Sequence, residues 1–461
     1  MLFSSLLFVF RFLPVTFLVY YLTPKRLKNL TLLIASLVFY SWGEVRYFPI
    51  MVSIILVNFF AGLGIAHWRE RKKLTRIILA ISILFSVGFL AFFKYSNFLL
   101  ANLNALLGTS IPLLEVTKNL PLGISFYTFQ IMTYTIDVYL RKIEVEHSII
   151  DFGAFVVLFP QLIAGPIVKY ADINRELKER SITPALVQDG IALFILGLGS
   201  KVLLANNIGK LWTDASTAGF ATLSTASAWL AIIAFTLQIY FDFSGYSLMA
   251  IGMGKAMGFH FPQNFNYPYI SRSMTEFWRR WHMTLSGWFR EYLYIPLGGN
   301  RVKPLRQYLN LFIIWFATGL WHGASWNYVL WGLYFFLLIS CERLFLRPIL
   351  EHHRLFSHLY GILGFTLGWV LFAIEDLGQI GVFFSRLFLP HGGDDWMFYL
   401  RNYGIVLLLG LLFSLPVLNY IRDRLKRLCK WLAIPFLALV FLLSVAYLVD
   451  STYNPFLYFR F

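Results

Sequence analysis

Phe277-Trp278-Arg279-Arg280-Trp281-His282 lies between apolar stretches, and forty residues further on Trp321-His322-Gly323 stands alone between two more. The surroundings decide the fold. Apolar runs of about twenty residues, the length a helix needs to cross a bilayer, recur from one end of the chain to the other. The alternating ten-residue strands of an outer-membrane barrel are absent. With 58% hydrophobic and 13% charged residues over 461 positions and a mean hydropathy of +0.67, the chain is too apolar for a soluble globule. It reads as an all-α, polytopic membrane protein. An Arg, Lys or Asp at membrane depth costs roughly 2.5–3.5 kcal/mol on insertion scales, so ionisable groups set among such spans mark a functional cavity.

Spans are expected at about 5–23, 29–42, 47–66, 75–99, 119–140, 185–205, 226–253, 307–322, 325–341, 359–376, 402–420 and 432–449. Two further apolar stretches, 150–167 and 282–298, are interrupted by Pro160, Gly165-Pro166, Arg290 and Pro296. They read as re-entrant or in-plane helices, which need a covering of protein or a wet cavity. With the N-terminus outside, most of the 39 Lys and Arg fall in loops on the cytoplasmic side, as the positive-inside rule requires. The net charge of +16 is thereby explained without nucleic acid. Leu2 to Tyr21 reads as a retained first helix, because no small-x-small cleavage site follows it. Cys341 and Cys429 lie beside basic loops and read as free thiols, with no disulfide framework and no Cys-based metal site. No linker or repeat divides residues 1–461, which read as one membrane domain. The outside loop of about 377–401, with Asp394 and Asp395, and the aromatic tail Tyr453 to Phe461 are candidate contacts for an extracytoplasmic partner. For the tail, an ordinary interfacial anchor is the alternative.

His322 is placed where two short spans meet, so their junction is expected below the membrane surface. A neutral imidazole there can take a proton from a hydroxyl, its unperturbed pKa of ~6.5 suiting it to neutral pH. Gly323 and Ala324 leave room beside it, and Trp321, Trp326 and Trp331 can wall a cavity. The alternative is a histidine satisfied by neighbouring helices. If the central stretch is one helix, Trp278, Arg279 and His282 share a face. That face suits a phosphate-bearing or planar group, or else anchors an interfacial helix at the headgroups. Asp242, inside an apolar span, needs a partner, and Arg279 or Arg280 is expected. Gln130 and Asp137 share a face and are expected to stabilise the bundle. Gly298-Gly299-Asn300 reads as a turn, a weak phosphate signal without a Walker-type Gly-Lys-Ser/Thr. No Gly-x-Ser-x-Gly elbow, HExxH zinc site or dinucleotide fingerprint occurs, so soluble hydrolase, metalloprotease and Rossmann chemistry lack support.

At these residues the chain resembles the membrane-bound O-acyltransferase superfamily, on its alginate O-acetylation branch. The resemblance rests on Pro121 to Gln130, Phe159 to Pro166, Phe241 to Tyr246, Phe277 to Arg301, Trp321-His322-Gly323 and Tyr453-Asn454-Pro455-Phe456, in the family's order along nearly the whole chain. It implies a helical bundle around a tunnel, with His322 and His282 as catalytic residues. It further implies transfer of an acetyl group from a cytoplasmic thioester donor, acetyl-CoA or an acyl carrier, toward the hydroxyls of an extracytoplasmic polysaccharide such as alginate. A separate extracytoplasmic acetyltransferase partner in the bacterial cytoplasmic (inner) membrane system is implied as well, and no cofactor. On this reading Trp278, Arg279, Arg280, Trp281, Arg290, Trp321 and Asp242 serve the donor or the passage. D-alanyl transfer from a carrier protein, and a non-enzymatic role in exopolysaccharide export, are the alternatives.

Overall fold

A computed structural model describes residues 1–117, 120–163, 165–417, 420, 424, 426–450, 454, 455 and 457, without the side chains of 426–430. Helices make up the secondary structure, and no strand occurs among the described residues. Eight helical runs among them are long and apolar enough to span a bilayer, fewer than the eleven or twelve expected. Part of the difference is continuity. The spans expected at 29–42 and 47–66 form one helical run, Lys25–His67, joined by a short 3-10 turn at Val45–Tyr47. Two more differ in length, since the first span is the shorter apolar helix Phe8–Leu22 and the fifth is Ile124–Tyr139, of 16 residues, while Pro304–His322 is long enough at 19 residues but not among the helices apolar enough to span.

The chain packs as two compact units, Met1–Phe194 with Met249–Pro262, and Ile195–Leu248 with Gln263–Phe461. Two of the three crossings between them fall inside continuous helices, Pro184–Gly199 and Thr225–Ala256, and the third, at Pro262, falls in a non-helical segment.

In the first unit the interrupted stretch near 150–167 is broken as its prolines and glycines suggest. Ile149–Val157 ends at Leu158, and the four-residue helix Phe159–Leu162 restarts with Pro160 in its first turn. Backbone groups freed by the break are taken by neutral side chains: Ser36 Oγ accepts from the Phe159 N–H at 3.0 Å, and Gln130 donates to the Phe155 carbonyl at 3.0 Å. Gln130 thus stabilises the bundle, as expected. Across the break, Glu146 on its near side accepts from the Tyr170 hydroxyl at 2.5 Å and pairs with Lys178 at 2.8 Å. Burial, reinforced by that carboxylate, pushes the Tyr170 phenol pKa up.

In the second unit, Pro304–His322 and Trp326–Cys341 form a tight hairpin. A methyl group at Gly319 would overlap the Tyr328 carbonyl, and one at Gly332 the Trp315 carbonyl. The two glycines therefore let the backbones touch, the small-residue device of helix pairs in lipid. The stretch expected as an outside loop at 377–401 is mostly helical, as Leu377–Phe388 and the start of Asp395–Phe413. Asp395 accepts from the Ser224 N–H at 3.1 Å and His391 donates its N–H to Thr225 at 3.0 Å, so this segment is bound to its own unit.

Candidate active site

His322 closes the helix Pro304–His322, Gly323 turns extended, and Ser325 opens the next helix. Both helices exceed their expected lengths: the first starts at Pro304, and the second runs on helically to His352. Length alone therefore does not sink their junction, and packing isolates the histidine instead. It is 3% exposed. Its ring lies edge-on to Trp331 at 4.9 Å and to Phe372 at 5.2 Å. Two expectations fail here. The space beside Gly323 is filled by the Tyr328 ring, because the tight hairpin brings that residue over the turn. Trp326 is 51% exposed and walls nothing, since it faces away from the hairpin seam.

The helix expected through 277–282 ends at Arg280. Trp281 is extended, and His282 adopts a left-handed conformation at φ 42° and ψ 53°, unusual for a residue with a Cβ. Trp278, Arg279 and His282 consequently share no helical face. The break near this stretch falls at His282; Arg290 continues a helical turn to Tyr294.

Asn264, 1% exposed, secures the break. Its Oδ1 lies 3.1 Å from His282 Nδ1 and accepts from the Thr284 N–H at 3.3 Å and the Thr284 hydroxyl at 2.9 Å. Its Nδ2 donates to Ser247 at 3.0 Å, and its carbonyl accepts from the Met283 N–H at 2.9 Å. An amide oxygen only accepts, so Nδ1 carries the proton and Nε2 offers a lone pair. The His282 ring is edge-on to Phe243 at 4.7 Å and 6.0 Å from Trp321, whose indole is 5.0 Å from His322. His282, Trp321 and His322 are thus brought together.

Upstream of the break, the helix Met274–Arg280 is held by Glu342, 4% exposed. Its carboxylate accepts from the N–H groups of Met274 at 2.5 Å and Thr275 at 3.0 Å, the Thr275 hydroxyl at 2.6 Å and the Tyr360 hydroxyl at 3.1 Å. A carboxylate at a helix N-terminus satisfies otherwise unpaired donors and complements the helix dipole. Sequence reasoning missed Asn264 and Glu342. The available signals were slight: an amide in the polar run Gln263-Asn264, and an acid beginning the basic end of an apolar span.

The other expected residues disperse. Trp278 packs on Trp315 at 5.0 Å and Phe335 at 4.9 Å, and Trp281 on Trp369 at 4.8 Å and Phe265 at 5.1 Å, so both belong to the aromatic core around the histidines. Arg280 is bound by Glu276 at 3.0 Å and the Asn266 carbonyl at 3.2 Å. Arg279 and Arg290 are exposed. Asp242 does not pair with an arginine: it meets Lys201 at 2.5 Å, both buried, and accepts from the Leu457 N–H at 2.8 Å. Lys201 also donates to Asn206 at 2.7 Å and to the Pro455 carbonyl. The expected tail contact falls partly on Tyr453, Phe456 and 458–461, which lie outside the described residues, as does the Cys429 side chain. Cys341 is a free thiol. Among the described residues no group of His, Cys, Asp and Glu could hold a metal ion.

A buried pair of histidines joined by a tryptophan, on an all-helical membrane scaffold, is a setting for proton transfer at a hydroxyl. Residues 78–374 match the membrane-bound O-acyltransferase family, and the chain belongs to it. It is a multi-pass membrane acyltransferase. Among its relatives is the probable alginate O-acetylase of Pseudomonas aeruginosa, 42% identical over 82% of this chain and 73% of that protein. The probable alginate O-acetylase of Pseudomonas putida is 36% identical over the whole of both chains. The peptidoglycan O-acetyltransferase of Helicobacter pylori is also 36% identical, over 82% of this chain and 78% of its own length.

Proposed function

We propose that this chain transfers an acetyl group from a cytoplasmic thioester, acetyl-CoA, toward hydroxyls of an extracytoplasmic polysaccharide such as alginate, in the bacterial cytoplasmic membrane and with a separate extracytoplasmic acetyltransferase partner. The observation that carries the reading is His322, a nearly inaccessible imidazole at a helix end inside the family-matched segment. A water-poor aromatic setting favours transfer to an alcohol over hydrolysis of the thioester. His322 takes the proton of the acceptor hydroxyl as its oxygen attacks the thioester carbonyl. The C–S bond then breaks, and the departing thiolate recovers a proton to leave as the thiol. His282, with Nδ1 directed to Asn264, turns Nε2 toward the reacting group and orients it. Trp321 fills the space between the two rings, and Trp278 and Trp281 support it from the core. The alginate acceptor is supported by the two Pseudomonas relatives, both probable alginate O-acetylases, and the acetyl group by all three relatives. His322→Ala is expected to abolish polymer acetylation in cells, at least ~100-fold, with membrane abundance unchanged on immunoblot. Retained acetylation would remove the role assigned to this residue.

A further inference from the structure

A cavity of about 560 Å³ opens beside the start of the helix Met274–Arg280, lined among others by Arg272, Arg279, Arg343, Asn300 and Arg347. That volume lies within the range of small-ligand sites. Its charges are unequally engaged. Arg347 is paired with Glu351 at 2.8 Å. Glu276 is occupied by Arg280, and Glu342 by the helix N-terminus and Tyr360. The guanidinium groups of Arg272 and Arg279 make no hydrogen bond or ion pair among the described residues, while Arg343 reaches only the Tyr294 hydroxyl at 3.4 Å and Asn300 at 3.5 Å. Three planar forks therefore face one cleft without an ion pair to any carboxylate, an arrangement suited to bidentate recognition of phosphate. Glu342 lines the same cavity and keeps its charge, but its oxygens are already taken by four neutral donors, and the three arginines still outnumber it.

We propose that this cavity binds a phosphate-bearing anion, and that the anion is the nucleotide portion of the thioester donor. The second half rests on the function proposed above. The donor phosphates are held by Arg272, Arg279 and Arg343, with Arg280 and Arg290 outside the site. The same chemistry is carried by anionic phospholipid headgroups, so the test has separate arms. Purified full-length protein is reconstituted in phosphatidylcholine nanodiscs, and binding of free coenzyme A is measured for wild type and for the double variant Arg272→Gln/Arg279→Gln. Binding is expected to weaken at least ~10-fold, with partial recovery in Arg272→Lys/Arg279→Lys. In turnover with the polymer-acetylating partner present, KM for acetyl-CoA should rise by a similar factor with kcat within about twofold, whereas acetyl-pantetheine, which lacks the nucleotide, should be used equally by both proteins. A variant that loses phosphatidylglycerol binding while keeping coenzyme A supports the phosphate site and gives it to lipid. Unchanged binding of both ligands overturns the proposal. If wild type binds coenzyme A at this site but transfers no acetyl group from acetyl-CoA, the proposed function fails and the cavity stands.

Discussion

Two stretches of this chain break their helices inside apolar sequence, and they do so to different ends. At Leu158 the break is closed by Ser36 and Gln130, which take backbone groups and nothing more. At His282 the break is closed by Asn264, which takes two backbone N–H groups and also fixes a histidine ring. The backbone problem is the same in both, since groups freed from a helix must find partners where water is scarce. A break becomes functional when the residue that repairs it also orients a titratable side chain.

The strongest challenge to that contrast is steric. Gly123 has φ 70°, and a Cβ there would overlap the Leu162 carbonyl just beyond the first break. Gly123→Ala is expected to cost about 3 kcal/mol or more, read as loss of the monodisperse peak in fluorescence-detected size exclusion. A normal peak and melting midpoint would mean the first break tolerates movement. At the second break, Asn264→Ala should lower kcat roughly 100-fold by releasing His282 from its orientation, with KM for acetyl-CoA within twofold. Equal losses in kcat and in folded protein would make Asn264 merely structural. The smallest effect belongs to Ser36→Ala, which leaves the Phe159 N–H without its acceptor. About 1–3 kcal/mol of stability should go, with specific activity per folded molecule unchanged; an activity loss there would erase the distinction between the two breaks.

Much of this was legible in the chain. Runs of apolar residues gave the helical class, and Pro160 with Gly165-Pro166 marked the first break. In the stretch 282–298 the helical turns do end at Tyr294, just before Pro296, but they run through Arg290 without a break; the earlier break comes from a left-handed histidine, which composition does not announce. The burial of His322 between helices was legible because a lone histidine between apolar stretches is conspicuous. Its neighbours were harder: Trp331 and Trp326 look alike in sequence, yet one is buried and the other half exposed, a matter of which helix face meets the seam. The partner of Asp242 is not Arg279 or Arg280 but Lys201, the one basic residue inside the apolar span 185–205, and that lone cation was the matching signal. Asn264 acts across 18 positions through a loop, a relation that exists only once the chain is folded.

The Lys201–Asp242 pair also sets a schedule for assembly. Its backbone partners, Pro455 and Leu457, lie 254 and 215 positions downstream of the residues they serve. At a synthesis rate of about 5–20 residues per second, roughly ten to forty seconds separate the emergence of Asp242 from that of Leu457. During that interval the ammonium and carboxylate sit in the bilayer with each other but without their late backbone partners. The nascent chain therefore carries an unfinished polar joint through nearly half of its synthesis, and translation itself supplies the last pieces that seal it.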